Sequence, residues 1–445
     1  MINLASLSWL NRAEMLLVVA ALLLLVLAKH LERRPLVTSL IGLAGAGTAL
    51  ACGWQDAGVP RFALLLGGAI LAVALLLLRT AELFDERQRP ESAALILIGG
   101  IGAIVLAAST SLLELAIGVE MISLAGATLI ALGRGVRPLE AGFKYFLLTA
   151  ITFATLLFGM ALVFVGTGSL DFPSSTSAVM GLDVLVAAGV GLIVIGLAFK
   201  LALVPVHFGA LDAYTAGPAG FVGFVMMGSK LGAAIALAKL ANGMGAGTSS
   251  LLLGAGLVSI GFAVFASFAQ SDLRRLLAYS AVAHAGFLAV AASSATGGAE
   301  AVRFYLVCYG AAAALAFAAL AGTGTEGFAL SRLAPGKGLG RVRSLALLVA
   351  LLSLAGVPPF PGFWAKLAVL HAAWNSWGML ATSLAALGGV VGIIYYLKPM
   401  PDLLASLMSA GPPDEDKRDV PLAVVLIAIV VGLGLVPSLA WFLAV

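Results

Sequence analysis

Four charged side chains lie inside apolar runs of this chain: Glu120 in LAIGVEMISL, Lys200 in GLAFKLALVP, Lys230 in MMGSKLGAAI and Lys366 in GFWAKLAVL. A cation at the centre of a membrane helix costs about 2.5–3.5 kcal/mol on insertion scales. Such a residue faces a protein-lined polar path and has a partner there. Buried lysines with a similarly placed glutamate point to a route for protons or ions.

These side chains need elements to hold them, and composition says which. The chain has 445 residues, 62% hydrophobic and only 10% charged. No water-soluble fold of this length carries so little polar surface, so this is an integral membrane protein with many spans. The apolar runs are continuous rather than alternating, which makes the spans helices and excludes a membrane β-barrel. The 53 glycines suit close helix–helix approach in lipid. Two cysteines, Cys52 and Cys308, give no metal spacing. The first apolar run, Met15–Ala28, leads into Lys29 without a small-residue cleavage site and reads as a retained first span. The basic residues lie in short loops, so the net charge of +4 does not suggest nucleic acid.

Apolar runs between polar breaks give about fourteen spans. The seventh is Val184–Val206, the twelfth Leu345–Ala373, the thirteenth Met379–Leu397 and the fourteenth Leu422–Leu443. Loops after odd-numbered spans hold seventeen of the 25 lysines and arginines, among them Arg33, Arg87, Arg134, Arg274, Arg332, Lys337, Lys398, Lys417 and Arg418. Loops after even-numbered spans are rich in Gly, Ser and Thr. The positive-inside rule then puts the odd loops in the cytoplasm and both termini in the periplasm.

The seventh and twelfth spans are broken. GLAFKLALVPVHF has Pro205 five residues after Lys200, and LSLAGVPPFPGFWAKL has Pro361 five residues before Lys366. Proline removes a helical hydrogen bond, and in lipid the freed groups need protein or water. A break beside a lysine is a hydrated site. Proline follows the lysine in one span and precedes it in the other, and this mirrored order suggests an inverted repeat. The chain then divides into residues 1–92 with the first three helices, 93–241 and 242–400 as two inverted five-helix repeats, and 401–445 as a cytoplasmic loop and last helix. Other candidates keep two readings each. His207, after the first break, relays protons or caps the broken helix. His284 lines the second half's path or bonds a neighbouring backbone. Lys144, four residues after Glu140 and on the same helix face, is a cytoplasmic-side anchor or the mouth of the path.

Several stretches resemble one family: IGVEMISL, EAGFKYFLLTA, GLAFKLALVPVHF, SKLGAA, LRRLLAYSAVAHAGF, FYLVCYG, GFWAKL and YYLK. Together they are similar to the antiporter-like membrane subunits of respiratory complex I, most closely the N-subunit branch of bacterial NADH–quinone oxidoreductase. The likeness covers nearly the whole chain. It implies a fold of fourteen helices with two inverted five-helix repeats. It implies a proton pathway along Glu120, Lys200, Lys230 and Lys366, with His207 and His284 beside it. Three positions depart from the family: HFGALDAY carries Gly209 and Leu211 where Trp and Pro are usual, and Phe287 stands where tyrosine is usual.

By that resemblance the chain translocates protons, driven by quinone reduction elsewhere, and has no redox centre or metal of its own. NADH, FMN, Fe–S clusters and quinone belong to partner subunits. The partners are M-, J- and K-like membrane subunits and lipids in the bacterial inner membrane. A Glu120–Lys200 pair would hold the lysine charged until it opens, and the proton would pass through Lys230 to Lys366. Breaking a buried pair is worth about 3–5 kcal/mol. Moving one charge costs about 2.3 kcal/mol per 100 mV. One pair therefore suffices to lift one proton. The alternatives are a subunit of a multisubunit sodium/proton antiporter or of a membrane-bound hydrogenase, and an inert scaffold.

Overall fold

The computed structural model describes residues 12–54, 60–174, 183–325, 327–334, 339–408 and 420–444. Lys337, Lys417 and Arg418, counted above among the basic loops, lie outside the described residues. Every main element is an α-helix, as continuous apolar runs in lipid require. The first group comprises α1 (Arg12–Val26), α2 (Ala28–Leu31), α3 (Pro35–Gly53) and α4 (Arg61–Leu77). Next come α5 (Arg89–Ala108), α6 (Leu112–Ala131), α7 (Val136–Thr167), α8 (Asp183–Leu201), α9 (Phe208–Ala216) and α10 (Ala219–Met244). They are followed by α11 (Ala246–Phe268), α12 (Leu273–Ala292), α13 (Gly298–Ala319), α14 (Arg341–Ala355) and α15 (Pro361–Leu397). Last are α16 (Met400–Met408), α17 (Val420–Leu435) and α18 (Pro437–Ala444). Among the described residues, eleven helices are long and apolar enough to cross a membrane, or twelve with the α17–α18 pair.

Three of the expected spans differ in shape. The last is not one helix: α17 and α18 are bent by 98°, at Pro437, which cannot donate the next helical hydrogen bond. The first is short, with α1 ending at Val26 before the separate turn α2. The thirteenth is continuous with the end of the twelfth inside α15, interrupted only at Gly378, whose φ of 72° and ψ of −163° suit glycine alone.

Burial sorts the helices into layers. α10, α12 and α13 are buried over more than four-fifths of their apolar length, whereas α3, α7, α11 and α15 turn most of theirs outward. Lys230 and His284 ride on the central helices. Neighbouring helices approach at paired glycines: a Cβ on Gly159 would sit 2.5 Å from the Gly189 carbonyl, and one on Gly256 2.8 Å from that of Gly286.

The loops gather at two ends. At one, Arg134 N donates to Glu82 O (2.9 Å), Gly324 N to the Glu82 carboxylate (2.6 Å) and buried Arg274 to Gly217 O (2.9 Å). At the other, Leu112 N donates to Leu170 O (2.7 Å) and the Trp377 indole to Ser293 (3.1 Å). The described basic loops after odd spans share the first end. Asp272 fastens that end: one carboxylate oxygen caps α12 through Arg275 N (2.9 Å), and the other accepts Phe328 N (2.6 Å). Asp272→Ala is expected to cost about 1–2 kcal/mol through the lost cap, read as a lower melting temperature of the purified complex.

Candidate functional site

Both breaks have one architecture. α8 ends with Ala202 in the left-handed region (φ 66°), where Ala202 N bonds Phe199 O (3.0 Å) and Leu203 N reaches back to Ala198 O (2.8 Å). α14 ends with Gly356 at φ 80°, where Gly356 N bonds Ser353 O (2.9 Å) and Val357 N reaches Leu352 O (3.1 Å). These are Schellman endings, and each leaves the carbonyl of the last residue before the left-handed position free. A cis proline stands three residues beyond the left-handed residue in each, at Pro205 and at Pro359. The two breaks thus follow the same residue order along the chain. The lysines keep the mirrored order around this shared backbone pattern: Lys200 precedes its break and Lys366 follows the other. What inverts is direction: α14 starts at the loop end where the α8–α9 segment finishes.

Each freed carbonyl holds an ammonium. Lys230 of α10, fully buried, donates to Leu201 O at 2.6 Å. Lys366 of α15 donates to Ala355 O at 2.6 Å. The C-terminal end of a helix carries a partial negative charge of about half a unit, so both cations rest where the backbone is most electronegative. Phe287, where the family usually has tyrosine, presents its ring face 5.6 Å from the Lys366 nitrogen.

Lys200 is in the last turn of α8 and 2% exposed. Its ammonium bonds the Ser123 hydroxyl of α6 and lies 5.5 Å from the ring centres of Tyr145 and Phe199. The direct Glu120–Lys200 contact expected from sequence is not made: no hydrogen bond or close ion pair joins them. Ser123, three residues after Glu120 on the same helix, takes the ammonium instead. Glu120 lines an apolar groove of about 560 Å³ between α5, α6 and α7, and its Oε2 is buried without a hydrogen-bond partner.

His207 is 4% exposed between the rings of Phe208 and Phe262, with centres 4.7 and 4.8 Å away. It makes no side-chain cap to α9, and its backbone partner is Pro205 within the break. Lys144 pairs with Glu140 (2.6 Å) and lies 3.6 Å from Asp212 of α9, and all three are about half exposed. They form a solvated ion cluster at the basic end, apart from the buried lysines.

His284 bonds side chains rather than backbone. Its Nδ1 is 2.6 Å from the Tyr305 hydroxyl, its Nε2 is 3.1 Å from that of Tyr396, and its ring stacks on Tyr309 at 4.4 Å. The Tyr396 hydroxyl also bonds Ser280. Two small cavities flank the imidazole, one lined by Lys366, Phe287 and Tyr396, the other by Tyr305, Cys308 and Ser353. Each has about 10 Å³, the lower limit for one water. Sequence reading missed this phenol cage, Ser123 and Asp212. One signal was available: Tyr305 and Tyr309, four residues apart in an apolar run, share a helix face. No group of metal-binding side chains occurs among the described residues.

The profile of the family described as NADH:quinone oxidoreductase/Mrp antiporter, TM, matches residues 109–392. The chain is similar to NADH-quinone oxidoreductase subunit N of Deinococcus radiodurans, with 35% identity over 406 residues that cover 85% of this chain and 80% of that one. It is also similar to a chain of respiratory complex I from Thermus thermophilus with bound aureothin. That chain gives a TM-score of 0.83 at 31% identity, with 96% of this chain and 98% of the other covered. A chain of the Mrp complex from Dietzia shares the fold, with a TM-score of 0.82 at 19% identity over 97% and 95% of the two chains.

Proposed function

The chain belongs to the NADH:quinone oxidoreductase/Mrp antiporter transmembrane family, and from that premise we propose that it is a proton-translocating membrane-arm subunit of a bacterial NADH–quinone oxidoreductase. The observation that carries the reading is the pair of broken helices, each handing its last carbonyl to a lysine, Lys230 on Leu201 and Lys366 on Ala355. A fixed structural lysine has no need of the membrane interior, where its charge costs about 2.5–3.5 kcal/mol. A carrier of protons does, and a neutral carbonyl tolerates both the ammonium and the amine. Identity of 31% to the complex I chain, against 19% to the Mrp chain at nearly equal coverage, favours the oxidoreductase over the antiporter.

In this reading the proton path runs from Glu120 and Lys200 through Lys230 and His284 to Lys366. His207 sits at the first break, and Lys144 with Glu140 at its basic-end mouth. Glu120 acts across its open groove, facing a neighbouring subunit, and Lys200 exchanges Ser123 for that carboxylate when the signal arrives. Fourteen spans follow when α1, the α17–α18 pair and the two parts of α15 about Gly378 are counted, with α14 joined to the first part of α15. The two like breaks in oppositely directed helices support inverted repeats over residues 93–241 and 242–400. The basic end faces the cytoplasm and both termini the periplasm. Redox cofactors and quinone are held by partner subunits, with M-, J- and K-like chains beside this one.

Purification of the chain from its native membrane, with identification of what comes with it, tests this. A flavin- and Fe–S-containing NADH–quinone reductase is expected. A set of antiporter subunits without any NADH dehydrogenase activity would overturn it.

A further inference from the structure

The hydroxyl of Tyr396 occupies a place that the lysine path does not use. It bridges two groups, Ser280 of α12 on one side and His284 Nε2 on the other at 3.1 Å. Tyr396 is 1% exposed, yet Leu397 and Lys398 beside it at the basic end of α15 are exposed. Ser280 is one helical turn nearer that end than His284. On the far side of the ring, Nδ1 meets Tyr305 at 2.6 Å, and the second cavity opens there beside Ser353. The chain of polar atoms is therefore Ser280, Tyr396, His284, Tyr305, with Lys366 reached through the first cavity.

A neutral imidazole has one N–H donor and one acceptor nitrogen. Between two phenols it must accept from one and donate to the other. If Tyr396 donates to Nε2, Nδ1–H donates to Tyr305. A proton entering at Tyr396 and one leaving toward Tyr305 or a cavity water exchanges the tautomer, with no net charge left on the ring. Before a second proton follows in the same direction, the N–H must return from Nε2 to the Nδ1 side, by a flip of the ring together with reorientation of both hydroxyls. The arrangement suits a wire better than a storage site, because each hop breaks one O–H or N–H bond and makes another along bonds already in place.

We propose that Tyr396, with Ser280, is the relay that carries protons from the basic end to His284 and so recharges Lys366. This rests on the proton-translocation reading above. The ring of Tyr396 also packs against Tyr395, at 4.3 Å between centres. Phenylalanine keeps that packing and removes only the hydroxyl.

The test uses the whole complex in inverted membrane vesicles, comparing wild type, Tyr396→Phe, Ser280→Ala and Lys230→Ala for NADH-driven acidification per assembled complex, in H₂O and D₂O. Tyr396→Phe is expected to slow proton translocation by about threefold or more, and its H₂O/D₂O rate ratio is expected to exceed that of wild type. A purely structural role lowers the amount of complex without changing the isotope ratio of what remains. If Tyr396→Phe does not assemble, Ser280→Ala carries the same expectation in smaller degree. Wild-type rates and isotope ratio in the assembled hydroxyl variants, with Lys230→Ala impaired, overturn the Tyr396 relay and leave the lysine path standing. Unimpaired Lys230→Ala overturns the lysine path itself.

Discussion

Lys230→Ala is expected to cut proton translocation coupled to NADH oxidation by about tenfold or more while the complex assembles in normal amount. Lys230 is fully buried on α10, the central helix, and its nitrogen bonds the carbonyl of the residue that follows Lys200. It is thus at the first break, and among the described residues no other fully buried lysine lies between Lys200 and Lys366 in the chain. Removing it costs a hydrogen bond to a charged group, about 1.5–3 kcal/mol. It also relieves the burial of an ammonium, about 2.5–3.5 kcal/mol. These terms nearly cancel, and no opposite charge is stranded, so folding survives while the carrier is gone. Lys230→Arg separates charge from carriage. The guanidinium keeps the charge and a donor for Leu201 O but does not release its proton. A relay fails in both variants. A fixed electrostatic role fails only in the alanine variant, and normal pumping in both removes Lys230 from the path. The readout is acidification of inverted vesicles normalised to assembled complex.

The lysines could be found in the sequence because a charge inside an apolar run is costly wherever the helix lies. The breaks could be found because proline acts on its own backbone. What holds the charges could not be found that way. Ser123 lies 77 residues from Lys200, and Tyr396 lies 112 from His284. Those meetings depend on how helices rotate against one another. Glu120 shows the limit: type and spacing suggested a pair with Lys200, but the rotation of α6 offers Ser123 to the ammonium and turns the carboxylate toward the groove. The order of lysine and proline around the breaks was legible, but the shared backbone ending was not, nor was the helix that supplies the ammonium bound to each, α10 in one case and α15 in the other. The departure at Gly209 also has its cause in packing. A Cβ there would sit 2.7 Å from a Leu148 methyl and 3.1 Å from the ring of Phe199, so a tryptophan would require both side chains to shift.

Gly362→Ala is expected to reduce assembled complex by about tenfold or more, the largest loss from adding a single methyl group. Gly362 is the second residue of α15, where the chain resumes after the second break. Its Cβ would stand 1.7 Å from the Ser353 carbonyl oxygen and 2.8 Å from that carbonyl carbon. Ser353 is in the last turn of α14, and its hydroxyl accepts Gly362 N at 3.3 Å. The obstacle is therefore backbone on both sides, which cannot swing away as a side chain would. Overpacking of a core costs about 1–3 kcal/mol even where side chains can move; here the two half-helices must separate. Separation also draws Ala355 O away from Lys366, so any complex that does form should pump poorly. Gly261→Ala on α11, with nothing within 4 Å of its new Cβ, is the control. It is expected to be neutral or to stabilise by up to about 1 kcal/mol through helix propensity. Native-gel quantitation of the complex, followed by vesicle acidification, reads both. Full assembly and full pumping in Gly362→Ala would show that the halves of the broken helix need not touch, and that Lys366 does not depend on the carbonyl the break exposes.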